Sequence, residues 1–236
     1  MTNDVQILNN GYPMPAVGLG VYKIADEQME EVVRTALDAG YRAFDTAYFY
    51  GNEKALGSAL KQSNIERDEL FITSKLWNDY QGYDQTIEYF NKSLDNLGLD
   101  YLDLFLIHWP CENDQLYIES YKALEHLYEE GKIKAIGVCN FKIHHLEKLM
   151  RETKITPQVN QIELHPYFNQ QDVQDFCDEH DIKVTAWMPL MRNKGLLDDP
   201  VITDIAHRYD KTPAQIVLRW HLAHNRIIIP KSQTPQ

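Results

Sequence analysis

The sequence predicts an α/β protein, a (β/α)8 or TIM barrel. Eight short runs rich in β-branched, Leu or Phe residues alternate with segments whose apolar residues recur every three or four positions. Such alternation implies a parallel sheet, and eight repeats suit a closed barrel. No Gly-, Ser- or Pro-rich linker and no low-complexity tract interrupts the alternation. Residues 1–236 are therefore expected to form a single domain, and 44% hydrophobic residues are enough for a large core.

The eight predicted strands each carry an apolar run. In chain order they are "AVGLG", "RAFDTA", "ELFITSK", "LDLFLIH", "IKAIGVCN", "QVNQIEL", "IKVTAWMP" and "RIIIPKS". Gly40 and Gly131 follow helix-like segments and are expected to end those helices. Ahead of the first strand, "VQILNNGYP" predicts an N-terminal β-hairpin with Asn10-Gly11 as its turn, and this hairpin could plug the barrel floor.

The composition excludes several classes of function. A net charge of −12 argues against nucleic acid and anionic membrane surfaces as partners. Cys111, Cys139 and Cys177 lie far apart, so neither a disulfide framework nor a structural zinc site is expected. The N-terminus shows no signal peptide, and "LDLFLIHW" is too short to span a bilayer. These features predict a cytoplasmic protein.

Polar or aromatic side chains stand at or beside the ends of seven of the predicted strands. In chain order they are Asp45, Lys75, His108, Asn140, Gln161, Trp187 and Lys231. In a barrel these positions meet at the C-terminal rim, where active sites of this fold lie. A single Lys or His of this kind is more often a salt-bridged or hydrogen-bonded structural residue. Seven at equivalent places favour a catalytic site.

The stretch "FDTAYFYGNE" predicts proton chemistry at this rim. It places Asp45 at a strand end and Tyr50 five residues later, and Lys75 and His108 would complete a polar cluster. Tyr has a reference pKa of about 10, and a nearby ammonium is expected to lower it and make Tyr50 a general acid. Asp45 would hold Lys75 charged, while a neutral His108 would polarise a carbonyl. No nucleophile with an adjacent base and no HxH or HExxH metal pattern is found, which disfavours a metal-dependent hydrolase.

Several motifs in combination resemble one enzyme family. They are "GYRAFDTAYFYGNE", "ITSKLW", "LDLFLIHWP", "IGVCNF", "VNQIELHP", "WMPL" and "IPKS". Together they resemble the aldo-keto reductases, most of all the bacterial branch with 2,5-diketo-gluconate and glyoxal reductases. The resemblance implies a monomer that reduces small aldehydes, ketones or keto sugars by hydride transfer from NADPH, with NADH possible. The family's four catalytic residues map onto Asp45, Tyr50, Lys75 and His108, and Tyr50 would protonate the developing alkoxide.

The resemblance also implies residues that bind the cofactor and the substrate. Trp187 would stack on the nicotinamide ring, and Asn140 and Gln161 would hold its carboxamide. The remaining expected cofactor contacts are Val21 in the first loop, Leu190 at the pyrophosphate, and Lys231 and Ser232 near the adenosine 2′-phosphate. The expected substrate wall is aromatic and consists of Tyr22, Tyr48, Phe49, Trp77, His108 and Trp109, for which ordinary core packing is the alternative.

The sequence departs from the family pattern at three positions and at its end. Cys139 stands where the family usually has Ser, and Met188 and Arg192 lie in a loop where the family varies. Thr234-Pro235 predicts the start of another helix, but only one residue follows in the sequence. We therefore expect the eighth helix and the C-terminal loop to be absent. That absence would weaken NADPH binding and the preference for NADPH over NADH. It also leaves an alternative function, a weakly active or inactive cofactor-binding relic.

Overall fold

The computed structural model describes residues 4–232 and contains ten β-strands and eight α-helices in that range. The strands are β1 (Val5–Ile7), β2 (Pro13–Pro15), β3 (Leu19–Gly20), β4 (Ala43–Asp45), β5 (Phe71–Leu76), β6 (Leu102–Ile107), β7 (Ile133–Cys139), β8 (Val159–Glu163), β9 (Lys183–Trp187) and β10 (Ile227–Ile228). The helices are α1 (Asp26–Asp38), α2 (Glu53–Gln62), α3 (Tyr83–Leu97), α4 (Asp114–Glu129), α5 (Ile143–Glu152), α6 (Gln171–Glu179), α7 (Pro200–Tyr209) and α8 (Pro213–Ala223).

Strands β3 to β10 form one parallel sheet in which neighbours in sequence are neighbours in space. Its two edges meet: Val17 forms a parallel bridge with Ile228, and the Gly18 N–H donates to the Ile228 carbonyl at 2.9 Å. The Ile228 N–H in turn donates to the Ala16 carbonyl at 2.9 Å. The sheet is therefore a closed barrel, and the predicted fold and all eight predicted barrel strands are confirmed.

The N-terminal hairpin closes the end of the barrel where the strands begin. Strands β1 and β2 pair antiparallel, and Gly11 occupies the turn with a φ of +83°. Leu8 and Met14 are buried and pack into the same cluster as Ala43 and Phe71, the first residues of β4 and β5. The hairpin thus covers the barrel floor, as the sequence predicted, and leaves the opposite end free for a site.

The helix boundaries follow the capping residues in the sequence. Gly40 and Gly131 have φ values of +92° and +74° just after α1 and α4. Thr212 caps α8, with Pro213 in its first turn and Gln215 completing a capping box. No helix among residues 4–232 is both long and apolar enough to cross a membrane. The predicted helix signal at Thr234-Pro235 lies outside the described residues, so the expected absence of an eighth barrel helix stays a prediction.

Gly57 in α2 lies at a close approach of two neighbouring helices. A Cβ at this position would overlap the backbone of Leu97, the last residue of α3. Within a helix, alanine is more stable than glycine by about 1 kcal/mol. Here, however, the added methyl group would clash with backbone atoms, and moving a side chain cannot relieve that clash. We expect Gly57→Ala to destabilise the protein by about 1–3 kcal/mol in urea unfolding. The adjacent, exposed Ser58→Ala is the matched control and should change stability by less than about 0.5 kcal/mol; equal stability of the two variants would contradict this packing argument.

Candidate active site

A cavity of about 580 Å³ opens at the end of the barrel where the strands finish. Six of the seven predicted strand-end residues line it, and the seventh, Lys75, lies directly beneath through its contact with Asp45. The lining residues are Gly20, Tyr22, Lys23, Asp45, Phe49, Tyr50, Trp77, His108, Trp109, Asn140, Gln161, Trp187, Met188, Pro189, Leu190, Arg192, Ile229, Pro230 and Lys231. The barrel therefore brings together residues that are as far apart in the chain as Gly20 and Lys231.

A buried ion pair between Lys75 and Asp45 lies at the base of this cavity. The Lys75 Nζ is 2.5 Å from Asp45 Oδ1 and donates to the Thr46 carbonyl at 2.8 Å. The second carboxylate oxygen of Asp45 accepts from Gln161 Nε2 at 2.9 Å. Strand register explains the pairing: Asp45 lies opposite Thr73, and Lys75, two residues further along β5, points to the same face.

Charge and burial oppose one another at Lys75. The side chain has no solvent exposure, and burial, the largest single influence, would by itself lower the pKa of Lys75. The charge and hydrogen bond of Asp45, together with smaller contributions from Tyr50 and Cys139, outweigh burial. The pKa of Lys75 therefore lies above its ordinary value. The side chain stays an ammonium, as the sequence predicted.

Tyr50 lies beside this ammonium, in the 3₁₀ turn Tyr48–Tyr50 that follows β4. The Lys75 Nζ is 5.1 Å from the centre of its ring. Burial raises the pKa of Tyr50 to about 12, although Lys75 acts to lower it. The expected lowered pKa is therefore wrong, because desolvation of the phenolate outweighs the attraction of the ammonium. Tyr50 holds its proton at neutral pH.

His108 follows β6 and faces the same cavity. Burial, together with the Lys75 charge, lowers the pKa of His108 to about 3, so the imidazole is neutral at physiological pH. Its ring packs edge-on against Tyr50 and Trp77, with centroid distances of 5.7 and 5.3 Å. Its Nδ1 is buried without a hydrogen-bond partner among the described residues. The predicted neutral state agrees with this environment.

Asn140, Gln161 and Trp187 stand on neighbouring parts of the rim. Asn140 follows β7 with a φ of +62°, and its backbone N–H donates to the Gln161 carbonyl at 2.9 Å. The Trp187 indole Nε1 donates to Asn140 Oδ1 at 2.8 Å. The amide and indole groups thus lie at one wall of the cavity. In the order of strands around the barrel, this wall is opposite β3 and β4, which precede Tyr22 and Tyr50.

Three cations line one part of the cavity: Lys23, Arg192 and Lys231. Lys231 Nζ donates to the Lys23 carbonyl at 3.3 Å. Partial burial lowers the pKa of Lys231, and the charges of Lys23 and Arg192 act in the same direction. Mutually repelling cations in a chain of net charge −12 indicate a place for an anion. Lys23 was missed by the sequence analysis, although it directly follows Tyr22.

Two of the expected cofactor residues lie outside the cavity lining. Val21 is fully buried and contributes only backbone groups: its N–H donates to the Asp45 carbonyl at 3.0 Å, and its carbonyl accepts from Asn52 Nδ2 at 2.9 Å. Ser232 is exposed beside Lys231. Leu190 does line the cavity, as expected. Val21 therefore holds the first loop against β4 instead of contributing its side chain to the site.

The aromatic wall contains Tyr22, Phe49, Trp77 and Trp109, but Tyr48 lies elsewhere. Phe49 and Trp77 stack with centroids 3.8 Å apart. Tyr48 instead packs edge-on against Tyr80 and Tyr89, with centroid distances of 5.5 and 5.0 Å. A 3₁₀ helix has three residues per turn, so residues 48 and 50 point in different directions. Tyr48 therefore lies outside the cavity lining, although it was expected in the substrate wall.

Residues 16–236 match the model of the aldo/keto reductase family. The chain belongs to this family. It is 49% identical over 230 residues to a glyoxal reductase from Bacillus subtilis, and 48% identical over 229 residues to the methylglyoxal reductase DkgA from Escherichia coli. Each alignment covers 97% of this chain and 82% of the relative.

Two solved structures have the same fold. An aldo/keto reductase from Brucella melitensis superposes with a TM-score of 0.96 at 47% identity, covering 99% of this chain and 90% of the other. A Gox0644 variant in complex with NADPH superposes with a TM-score of 0.94 at 42% identity, covering 100% of this chain and 85% of the other. The family resemblance seen in the sequence motifs is therefore confirmed.

In this aldo/keto reductase the Lys75–Asp45 pair should also be a large stability determinant. Asp45→Asn leaves a fully buried ammonium with only neutral partners, and we expect a loss of about 3–5 kcal/mol in unfolding free energy. Lys75→Met should cost a similar amount, whereas the uncharged double variant should lose less than the sum of the two. Lys92→Met, which breaks the exposed Lys92–Glu88 pair, is the control and should cost less than about 1 kcal/mol. Purely additive losses in the double variant would show that the pair is not energetically coupled.

Proposed function

We propose that the chain reduces small aldehydes, ketones, dicarbonyls or keto sugars to alcohols with NADPH as the reductant. The observation that carries this proposal is the protonated Tyr50 beside the buried Lys75–Asp45 pair at the base of an open cavity. The names of the two curated relatives, glyoxal and methylglyoxal reductase, support small carbonyl substrates. The family and the NADPH complex of the Gox0644 variant support the reaction class and the cofactor.

The cavity fits a dinucleotide cofactor in its chemistry. Trp187 offers an aromatic face, Asn140 and Gln161 offer amides for a carboxamide, and Arg192 and Lys231 offer charge for phosphate groups. When bound, NADPH supplies the hydride that the carbonyl carbon accepts. Lys23, Arg192 and Lys231 together favour NADPH over NADH, because the additional 2′-phosphate carries negative charge. NADH remains a possible weaker cofactor.

Tyr50 is proposed to donate the proton to the carbonyl oxygen. As that oxygen gains negative charge it becomes a stronger base, and the phenol hydroxyl can transfer its proton to it. Lys75 stabilises the phenolate that remains, and Asp45 holds Lys75 in place at 2.5 Å. The neutral His108 carries one N–H, which can donate to the same carbonyl oxygen and polarise it before reduction.

The substrate wall is proposed to be Tyr22, Phe49, Trp77, His108 and Trp109. Aromatic rings flank the polar base of the cavity, which suits small carbonyl compounds with little charge next to the reacting carbon. We extend the proposal to a single-domain, cytoplasmic monomer that acts without nucleic acid or membrane partners. The alternative of a cofactor-binding relic is disfavoured, because a relic has no need for an assembled proton-transfer group.

Tyr50→Phe should abolish carbonyl reduction but leave NADPH affinity nearly unchanged. Only the transition state uses the phenol proton, so the loss should be in kcat, by about 100- to 10,000-fold. The measurement is NADPH and NADH oxidation against a panel that includes glyoxal, methylglyoxal and keto sugars, with cofactor affinity from fluorescence titration.

Tyr48→Phe is the matched control, because Tyr48 lies in the same turn but outside the cavity lining. It should retain turnover. Full activity in Tyr50→Phe would move the acid role to another group, His108 first. Absence of cofactor oxidation by the unaltered protein across the whole panel would refute the proposed function.

The pH dependence of kcat/KM should be flat across neutral pH. Tyr50 must be protonated to act, so activity falls only as pH rises towards its pKa of about 12. His108 must be neutral, so activity falls only as pH drops towards its pKa of about 3. We expect a plateau from about pH 6 to pH 9 in kcat/KM for reduction. A fall in kcat/KM at alkaline pH with an apparent pKa near 8 would contradict this prediction if it also occurs in His108→Gln. It would mean that the Lys75 ammonium lowers the pKa of Tyr50 by more than burial raises it.

A further inference from the structure

The side-chain amide of Asn140 joins the ends of three barrel strands. Its Oδ1 accepts from the indole of Trp187, the last residue of β9, at 2.8 Å, and its Nδ2 donates to the His108 carbonyl after β6 at 3.1 Å. Its own backbone N–H donates to the Gln161 carbonyl on β8 at 2.9 Å. The amide is thus held on both sides and through its backbone.

These partners allow one orientation of the Asn140 amide. An indole N–H can only donate and a backbone carbonyl can only accept, so the amide oxygen must face Trp187 and the nitrogen must face His108. Rotating the amide by 180° would break both bonds. One N–H and one oxygen lone pair remain on Asn140, which lines the cavity. Those two groups match the acceptor and donor of a primary carboxamide.

The indole N–H is the part of Trp187 that a different aromatic residue would not supply. Phenylalanine would retain a flat ring against the cavity but would leave the Asn140 oxygen without this donor. The His108 carbonyl alone would still anchor the amide nitrogen, at one end only. The orientation of Asn140 therefore depends on Trp187 as well as on its own backbone.

We propose that Trp187 is a positioning residue for Asn140. Its indole N–H fixes the orientation of the Asn140 amide, and this amide hydrogen-bonds the nicotinamide carboxamide. This inference rests on the proposed function and assigns Trp187 a second role besides offering its ring face. A nicotinamide ring presents one of its two C4 hydrogens to the substrate, according to which face lies against Trp187. Turning the ring over would move its carboxamide to the other side of the N1–C4 axis, so a fixed Asn140 amide that holds the carboxamide on one side selects one face.

A double-mutant cycle on NADPH affinity tests the coupling. The variants are Trp187→Phe, Asn140→Gly and the double variant; glycine is chosen because Asn140 has a positive φ that glycine adopts without strain. Each single change should raise the Kd by about 3- to 10-fold, the range of one hydrogen bond. In the Asn140→Gly background, Trp187→Phe should have little further effect. Trp77→Phe, another indole that lines the cavity and stacks on Phe49, is the control, and its effect should multiply with that of Asn140→Gly.

Hydride stereochemistry provides a second readout that a merely structural role would not change. NADPH deuterated separately at each C4 position should transfer one label only in the unaltered protein, and a measurable share of the other in Trp187→Phe. Fully multiplicative effects in the cycle would overturn the inference. Coupling with unchanged stereochemistry would support positioning of Asn140 but overturn its control of ring orientation. If the unaltered protein neither binds nor oxidises NADPH, the proposed function fails as well.

Discussion

The buried ion pair between Lys75 and Asp45 is the interaction on which the candidate site depends. An isolated ammonium with no solvent exposure is strongly unfavourable, because desolvation of a buried charge costs several kcal/mol. The barrel offsets this cost with the Asp45 carboxylate and the Thr46 carbonyl, which contact the ammonium, and the Gln161 amide on β8 donates to the second Asp45 oxygen. The hairpin at the opposite end closes the barrel floor, so this charge is kept in a low-dielectric interior.

The same burial sets the protonation states of the two groups beside the pair. Tyr50 keeps its proton because its phenolate would be desolvated, and His108 stays neutral because its cation would be desolvated and would also face Lys75. A proton donor and a neutral hydrogen-bond donor therefore stand together at neutral pH. This combination suits protonation of a carbonyl oxygen, whereas hydrolysis would need an activated nucleophile.

Several residues along the rim of this site have a left-handed backbone conformation, which is unfavourable for most residues other than glycine. Asn140, Met188, Met191 and Arg192 all have positive φ values, and all but Met191 line the cavity. Such conformations cost free energy and persist where surrounding structure enforces them. Here the enforcing contacts include the hydrogen bond between Trp187, the last residue of β9, and Asn140, which directly follows β7. The rim thus combines a rigid amide with a loop whose residues face the cavity.

The barrel and the convergence of its candidate catalytic side chains could be predicted from the sequence alone. Alternating apolar runs identified all eight barrel strands, and the position of Asp45, Lys75 and His108 at strand ends predicted their convergence, because parallel strands finish on one face. The different directions of Tyr48 and Tyr50 became visible only in the folded structure. In an extended chain residues 48 and 50 would point to the same side, whereas in a 3₁₀ turn they do not. Only the tertiary structure showed that burial outweighs the Lys75 charge at Tyr50, and that Lys23 joins Arg192 and Lys231. The spacing of apolar residues and the residues next to each strand end can be read along the chain. Desolvation and the distance between loops depend on how the whole chain packs.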